Sequence, residues 1–308
     1  MLTHKDWKKR NCPVCESSQI SSSPVSRSST PAEHLSYSEI KDSFVGLRSR
    51  QIFFSYYRCQ SCSLLYCPWY FDNQQLAQLY REMPDNLMGE DKTTISKTQS
   101  GYVKWLGRHI VKIKSYLEIG PDIGLVAASV VNHFPVTRAL LVEPNIAVHK
   151  DLRYSVSKVD SVQVVQYLSE SSEKNFDLVV GVHVFDHLLN PVEELRLVAL
   201  KSSNHAKLLI IVHNEKSLLR RILSKKWPPF CLQHPQLYNP STLQNLLSKS
   251  GWHLEQKAQS INWWRLDHFI QMGLKVLGLP SGIGRMFPNF EIPMRLGNTI
   301  AIASRIDV

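Results

Sequence analysis

From Ser115 onward the chain alternates short apolar runs with amphipathic stretches, and this alternation restricts the fold more than any other feature. SYLEI (115–119), RALLVE (138–143), SVQVVQ (161–166), FDLVVGV (176–182) and AKLLIIV (206–212) have the length and β-branched content of strands buried on both faces. Between them, GLVAASVVNHF (124–134), NIAVHKDLRYSV (145–156) and NPVEELRLVALK (190–201) carry apolar residues at helical spacing. Strand and helix in strict alternation give parallel strands joined by right-handed crossovers, that is, a doubly wound α/β sheet. GNTIAIASRI (297–306) reads as one more strand, and no internal repeat is present.

The 115–308 segment is therefore one domain, and two further segments precede it. Residues 69–114 form a connector in which NQQLAQLYREM (73–83) and GYVKWLGRHIVKI (101–113) have helical periodicity, separated by the polar stretch 85–100. Residues 1–68 contain two cysteine pairs, Cys12–Cys15 and Cys59–Cys62, each spaced C-x-x-C. Four thiolates so spaced can close a tetrahedron around Zn²⁺, which predicts a small ribbon-like structural zinc domain with a core of its own. The 43 residues between the pairs include the Ser/Pro-rich segment 21–36, expected as a mobile loop, and RSRQIFFSYYRC (48–59), expected as a strand. Cys67 and Cys231 are left as packing residues.

An apolar share of 43% and a charged share of 20% in 308 residues suit an ordinary globular core and exclude wholesale disorder. Lys and Arg outnumber Asp and Glu by 36 to 26, a net charge of +10, which favours anionic partners without choosing among them. No apolar run approaches the ~18 residues of a membrane helix, and the polar, basic start lacks a signal-peptide pattern. A reducing cytoplasmic location is the expectation.

The chemistry is carried by the loop after the first of these strands. In Glu118-Ile119-Gly120-Pro121-Asp122-Ile123-Gly124, Gly120 permits a tight turn and Gly124 a close approach of the next helix. Glu143 ends the second strand, where a carboxylate can accept hydrogen bonds from ribose hydroxyls or cap the following helix.

E-x-G-x-x-x-G, the acid at 143, FDLVVGVHVFDHLLNPVEEL and the terminal GNTIAIASR together resemble the class I S-adenosylmethionine-dependent methyltransferases. An N-terminal zinc segment is similar to the sugar C-methyltransferase subgroup. The resemblance implies a Rossmann-like, mostly parallel sheet of seven strands and S-adenosylmethionine as cofactor. It places Glu118, Gly120 and Gly124 on the methionine and ribose side, Glu143 at the ribose, and Gln166 and Tyr167 beside the adenine. His183, Asp186 and His187 become candidate catalytic residues, with His213 and His234 as further site-facing positions. Asp122 departs from the family pattern, which has a glycine there, and a side chain at 122 is expected to crowd the methionine end. The turn KSSNHAK (201–207) stands where the family has Lys-Pro-Gly-Gly.

The leading functional expectation is methyl transfer to a small polar metabolite, a sugar or anionic sugar nucleotide. Trp227, Tyr238, Trp263 and Trp264 are candidates to stack on it. An RNA methyltransferase and a catalytically silent binding module are the alternatives. Against base methylation, VHVFDH stands where an Asn/Asp-Pro-Pro-Tyr motif would be.

Overall fold

The computed structural model describes residues 4–44, 52–82 and 91–306. Its central sheet has seven strands: β1 (Ser115–Ile119), β2 (Arg138–Val142), β3 (Ser161–Val165), β4 (Phe176–Val182), β5 (Ser202–His213), β6 (Trp252–Gln259) and β7 (Asn298–Arg305). They lie side by side in the order β6-β7-β5-β4-β1-β2-β3. All neighbouring pairs from β3 across to β5 are parallel, and only β7 runs against its neighbours. The expected doubly wound, seven-stranded architecture is therefore present. Strand order reverses between β1 and β4, and ligands of such sheets bind at the carboxyl ends of the strands flanking that point.

Alternation along each strand feeds two cores. Leu117, Ile119, Val179, Leu208 and Ile210 pack on one face with Leu195, Leu243 and Trp252. Tyr116, Leu141, Leu178, Leu209 and Ile211 pack on the other with Val126, Val130, Leu152 and Tyr102. The covering helices include α1 (Asn73–Glu82), α2 (Lys92–Leu106), α3 (Leu125–His133), α4 (His149–Ser155), α5 (Pro191–Lys201) and α6 (Pro240–Lys249).

Four local expectations are corrected. α2 begins at Lys92, within the stretch read as a polar spacer, because Asp91 caps it through its carboxylate and Thr94, Thr98 and Tyr102 supply the buried face. The segment 201–207 is not a turn: β5 already starts at Ser202, and β4 and β5 absorb the change by a register shift between Phe176 and Leu178. Of the aromatic segment 48–59, only Tyr57–Arg58 is a strand, and residues 48–51 lie outside the described residues. The Ser/Pro-rich segment is packed: Ser26 pairs with Tyr56, Ile20 bridges to Cys59, and Ala32 is fully buried.

The N-terminal region does not have a separate core. Its small sheet orders Tyr57–Arg58, Leu65–Tyr66 and Gln236–Leu237, so one of three strands comes from far down the chain. Trp7, Phe53, Phe54, Tyr70 and Phe71 pack with Trp227, Phe230 and Leu237. Cys12, Cys59 and Tyr66 belong to the same apolar cluster as Leu117 and Tyr238. Arg58 makes a two-pronged pair with Glu215 at 3.1 and 3.0 Å, and Glu215 is itself buried and takes a hydrogen bond from Asn239. Apolar contact and a shielded ion pair thus join the cysteine region to the sheet.

Between β6 and β7 the chain makes an excursion that sequence periodicity did not single out. Asn262–Arg265 pairs with Glu291–Met294 as an antiparallel ribbon, and α7 (Leu266–Leu277) lies between them. The ribbon packs on α2 through Trp263, whose backbone N–H donates to Thr98 Oγ1 at 2.7 Å, and through Asn262, whose side-chain amide donates to the Tyr102 hydroxyl.

Candidate active site

The glycine loop leaves β1 at the switch point. Gly120, Asp122 and Gly124 all have left-handed backbone, at φ +65°, +52° and +81°. A Cβ at Gly120 would stand 2.7 Å from Val184 Cγ2, and one at Gly124 would stand 2.4 Å from Ser155 Oγ, so both positions require glycine on two counts. Asp122 takes the left-handed conformation that its short polar side chain tolerates. Its N–H donates to Glu143 Oε2 at 3.0 Å. The other oxygen of Glu143 accepts from Asn145 N at 2.9 Å. Burial raises the Glu143 pKa, partly opposed by these two bonds.

Glu118 is 1% exposed and accepts a hydrogen bond from the Tyr116 hydroxyl. Burial pushes it up to about 8, with the nearby Glu143 adding to the effect. Gln166 reaches back to the Pro144 carbonyl at 3.2 Å, beside Glu143. Tyr167 is half exposed at the same sheet edge. All six residues expected around a cofactor thus sit at the carboxyl ends of β1, β2 and β3 or in the loops that follow.

The histidines assemble next to them. His183 ends β4 in a left-handed conformation at φ +54°. Its ring stacks on His213 with centroids 4.3 Å apart. Asn298, the first residue of β7, bridges the two rings: its Oδ1 lies 3.0 Å from His213 Nδ1 and its Nδ2 lies 3.3 Å from His183 Nε2. Asp186 is fully buried, and its Oδ2 accepts from the backbone N–H of His213 at 3.1 Å and lies 3.8 Å from His183 Nδ1. Burial holds His183 down to about 3, with His234 contributing, and raises Asp186.

His187 is placed differently. Its Nδ1 lies 3.0 Å from the Tyr80 hydroxyl and its Nε2 3.1 Å from His234 Nε2, while His234 Nδ1 meets the Pro229 carbonyl at 2.7 Å. The carbonyl fixes a proton on His234 Nδ1, so His187 donates from Nε2 and accepts from Tyr80. Tyr80, His187 and His234 form one directed hydrogen-bonded run with no ring nitrogen left over.

Above His183 opens a cavity of about 210 Å³, walled by α2 and the ribbon of the excursion. Trp263 and Trp264 line it, with Thr94, Thr98, Gln99 and Asp91. Gln99 Oε1 is buried without a partner among the described residues. Trp227 and Tyr238, the other aromatic candidates, are core residues, at 3% and 0% exposure. Sequence reasoning missed Tyr80, Gln99 and Asn298. None carries a local signal, since each joins the site from a remote element.

The second cluster is the cysteine set. The sulfurs of Cys12, Cys15, Cys59 and Cys62 all lie within 4.8 Å of one another, with Cys12–Cys62 and Cys15–Cys59 at 3.4 Å and no disulfide. A tetrahedron of ~2.3 Å Zn–S bonds spaces its sulfurs at ~3.8 Å, so the arrangement is compatible with a closed zinc-ribbon site. Burial takes the Cys15 thiol up to about 11, and the contact with Cys62 together with burial raises Cys12.

A family profile described as "Methyltransferase domain" matches residues 70–257, more than half of the chain. Among solved structures, the chain is similar to a Haloferax volcanii methyltransferase determined with the Trm112 methyltransferase activator. The TM-score is 0.54 at 12% identity, over 71% of this chain and 95% of that one. N-methyltransferase NodS of Bradyrhizobium japonicum, in complex with S-adenosyl-L-homocysteine, is also similar, at TM-score 0.49 and 11% identity, over 77% of this chain and 100% of that one. No curated protein matches the sequence. No helix among the described residues is long and apolar enough to cross a membrane. The profile match, together with the seven-stranded sheet and its glycine loop, identifies this chain as a member of the methyltransferase-domain family.

Proposed function

We propose that the protein is an S-adenosylmethionine-dependent methyltransferase of a small polyhydroxylated acceptor, a sugar or the sugar portion of a sugar nucleotide. The observation that carries the acceptor class is the cavity over His183. Two tryptophans line it, together with the hydroxyl, amide and carboxylate side chains of Thr94, Thr98, Gln99 and Asp91. Sugar rings match such a lining, with C–H faces for the indoles and hydroxyls for the polar side chains. No Lys or Arg lines the cavity among the described residues, so an anionic portion of the acceptor would lie outside it.

The cofactor reading rests on fit. S-adenosylmethionine carries a sulfonium and an ammonium, and two neighbouring acids, Glu118 and Glu143, have pKa values raised by burial, which a cation bound beside them would offset. Glu143 would hold the ribose, Gly120 and Gly124 would admit the backbone to the methionine side, and Gln166 and Tyr167 would flank the adenine. The cofactor supplies an activated methyl group; the protein orients the acceptor and excludes water. His183 would handle the acceptor's reacting group on the cavity floor, with buried Asp186 beneath it and His187 holding the loop behind them. The cysteine set would hold structural Zn²⁺, which suits a reducing cytoplasmic setting.

The test is a panel of free sugars, sugar nucleotides and RNA incubated with the cofactor and read for a mass gain of one methyl group. A sugar-containing product, with Trp263→Ala raising KM, is expected. Methylated RNA in its place, or no product with cofactor bound, would overturn the acceptor assignment.

A further inference from the structure

We propose that the carboxyl edge of the sheet carries a docking surface for an anionic lipid membrane, formed by the excursion between β6 and β7 together with the basic segment that follows β5. Both elements leave from that edge. β7 runs against β5 and β6 runs against β7, so β6 ends and β7 begins where β5 ends. The two elements also touch: Asn214 donates its backbone N–H to the Gly297 carbonyl at 3.1 Å, and a Cβ at Gly297 would stand 2.2 Å from Ser217 Cβ. They flank the histidines. Trp227, at the end of the basic segment, meets the His213 ring edge-on, and His268 of α7 lines the cavity over His183.

The excursion is apolar without being covered. Seven of the 12 residues of α7 are Leu, Ile, Val, Met or Phe, and none of its described side chains is buried. A helix of a globular domain ordinarily turns such residues inward. Just beyond it, Leu279, Ile283, Met286, Phe287 and Phe290 are exposed, Met286 at 84%. These five are a third of the 15 large apolar side chains exposed among the described residues, so they form a patch rather than the usual scatter. In the basic segment, Leu218 and Ile222 stand one turn apart on the short helix Leu218–Leu223, each 68% exposed. With 12 residues, α7 is about 18 Å long, well short of the ~30 Å hydrocarbon core. Its place is in the headgroup region, lying along the surface.

Charge selects the occupant. From 216 to 254 the chain has six Lys or Arg and no Asp or Glu, and Lys216, Arg221 and Lys225 are exposed. In the excursion, Asp267 is paired with Arg265 and Glu291 with Lys97. Lys275 and Arg295 are exposed, and no acid lies between 268 and 290. Cations set beside aliphatic and phenyl side chains match headgroup phosphates above acyl chains. A second copy of the chain docked on the same surface would bring like charge against like. Leu218, Ile222, Ile283 and Met286 offer no ring on which a nucleobase could stack, which speaks against a nucleic-acid strand. The surface does not rest on the function proposed above and holds for any acceptor.

Full-length protein is floated with vesicles of phosphatidylglycerol and phosphatidylcholine in equal parts and with vesicles of phosphatidylcholine alone, and is titrated with single-stranded RNA. Wild type is expected to bind the anionic vesicles more tightly than the neutral ones and to lose that preference in ~1 M salt, where the Debye length falls to ~3 Å. Each Lys or Arg at such a surface is worth roughly fivefold in affinity. The triple variant Lys216→Gln, Arg221→Gln, Lys225→Gln should therefore bind the anionic vesicles about 100-fold more weakly. Met286→Asn with Phe290→Asn, which keeps every charge, should also lose flotation. Both variants alter exposed side chains only, and each should melt as wild type does. No flotation of wild type, undiminished flotation of either variant, or tighter binding to RNA than to the anionic vesicles would overturn the proposal. So would a dimer that Met286→Asn with Phe290→Asn dissolves. Cofactor binding by calorimetry, run on the same wild-type sample, reports separately on the methyltransferase reading.

Discussion

Glu118 gives the sharpest handle on the cofactor side of the site. Its carboxyl is raised from the ordinary 4.5 to about 8, chiefly by burial. Between those values the folded protein keeps a proton that the unfolded chain has lost. Stability from this group is therefore whole below pH 4.5 and declines as pH rises through the folded value. At about 1.4 kcal/mol per pH unit, the decline reaches about 5 kcal/mol by pH 8. Glu118→Gln cannot titrate, and its amide oxygen can still accept from Tyr116. Urea unfolding of both proteins from about pH 5 to about pH 8 isolates the residue. The variant should match wild type at the acid end and exceed it progressively toward pH 8. Cofactor affinity should run the other way: a cationic ligand favours the carboxylate, so wild-type affinity rises with pH, by at most about tenfold per unit, and binding releases a proton. Parallel stability profiles for the two proteins would refute the burial argument. A pH-independent affinity would remove Glu118 from the cofactor's neighbourhood.

Glu143→Ala deprives the Asp122 and Asn145 N–H groups of their acceptor and, on the proposed reading, the ribose of its partner; calorimetry should show cofactor affinity lowered by about 1.5–3 kcal/mol. His183→Ala should cut turnover by about 10²–10⁴-fold with cofactor affinity unchanged, measured by single-turnover kinetics beside calorimetry. On the proposed zinc site, Cys59→Ser should drop the zinc content from about one equivalent to none by mass spectrometry. Because the cysteine region shares its core with the sheet, melting should then shift down as one transition; a second transition left at the wild-type temperature would contradict the shared core.

The parts of this molecule written in local sequence were the parts that local physics determines. β1, β2 and β4 are apolar runs buried on both faces, and composition alone locates them; β3, at the sheet edge, buries Val164 and leaves Ser161 and Gln163 exposed. The start of α2 escaped because its buried positions there are Thr94, Thr98 and Tyr102, the first bonded to the Asp91 carbonyl and the other two met by the ribbon of the excursion, and polar residues at helical spacing do not register as an apolar stripe. The segment 21–36 looked unable to pay for order, yet it borrows partners from Phe53, Tyr56 and Arg58, contacts that no window of sequence contains. The glycine loop and Glu143 were legible because turn, strand end and acid follow one another closely. The histidine cluster was not, since His183, His213, His234 and Asn298 meet only when β4, β5, β7 and the segment before Gln236 are in register.

The strand Gln236–Leu237 has a consequence for the order in which the chain is built. Its partner Leu65–Tyr66 leaves the ribosome some 170 residues earlier, which at ~5–20 residues per second is a wait of roughly ten to thirty seconds. All four cysteines emerge before that wait begins. On the proposed zinc site, the thiols can be loaded while two strands of their sheet stand with an open edge. The metal then serves as a clamp during synthesis, keeping Leu65–Tyr66 in place as a template until the late strand arrives to cover it. Zinc starvation would accordingly act on newly made chains long before it troubled finished ones.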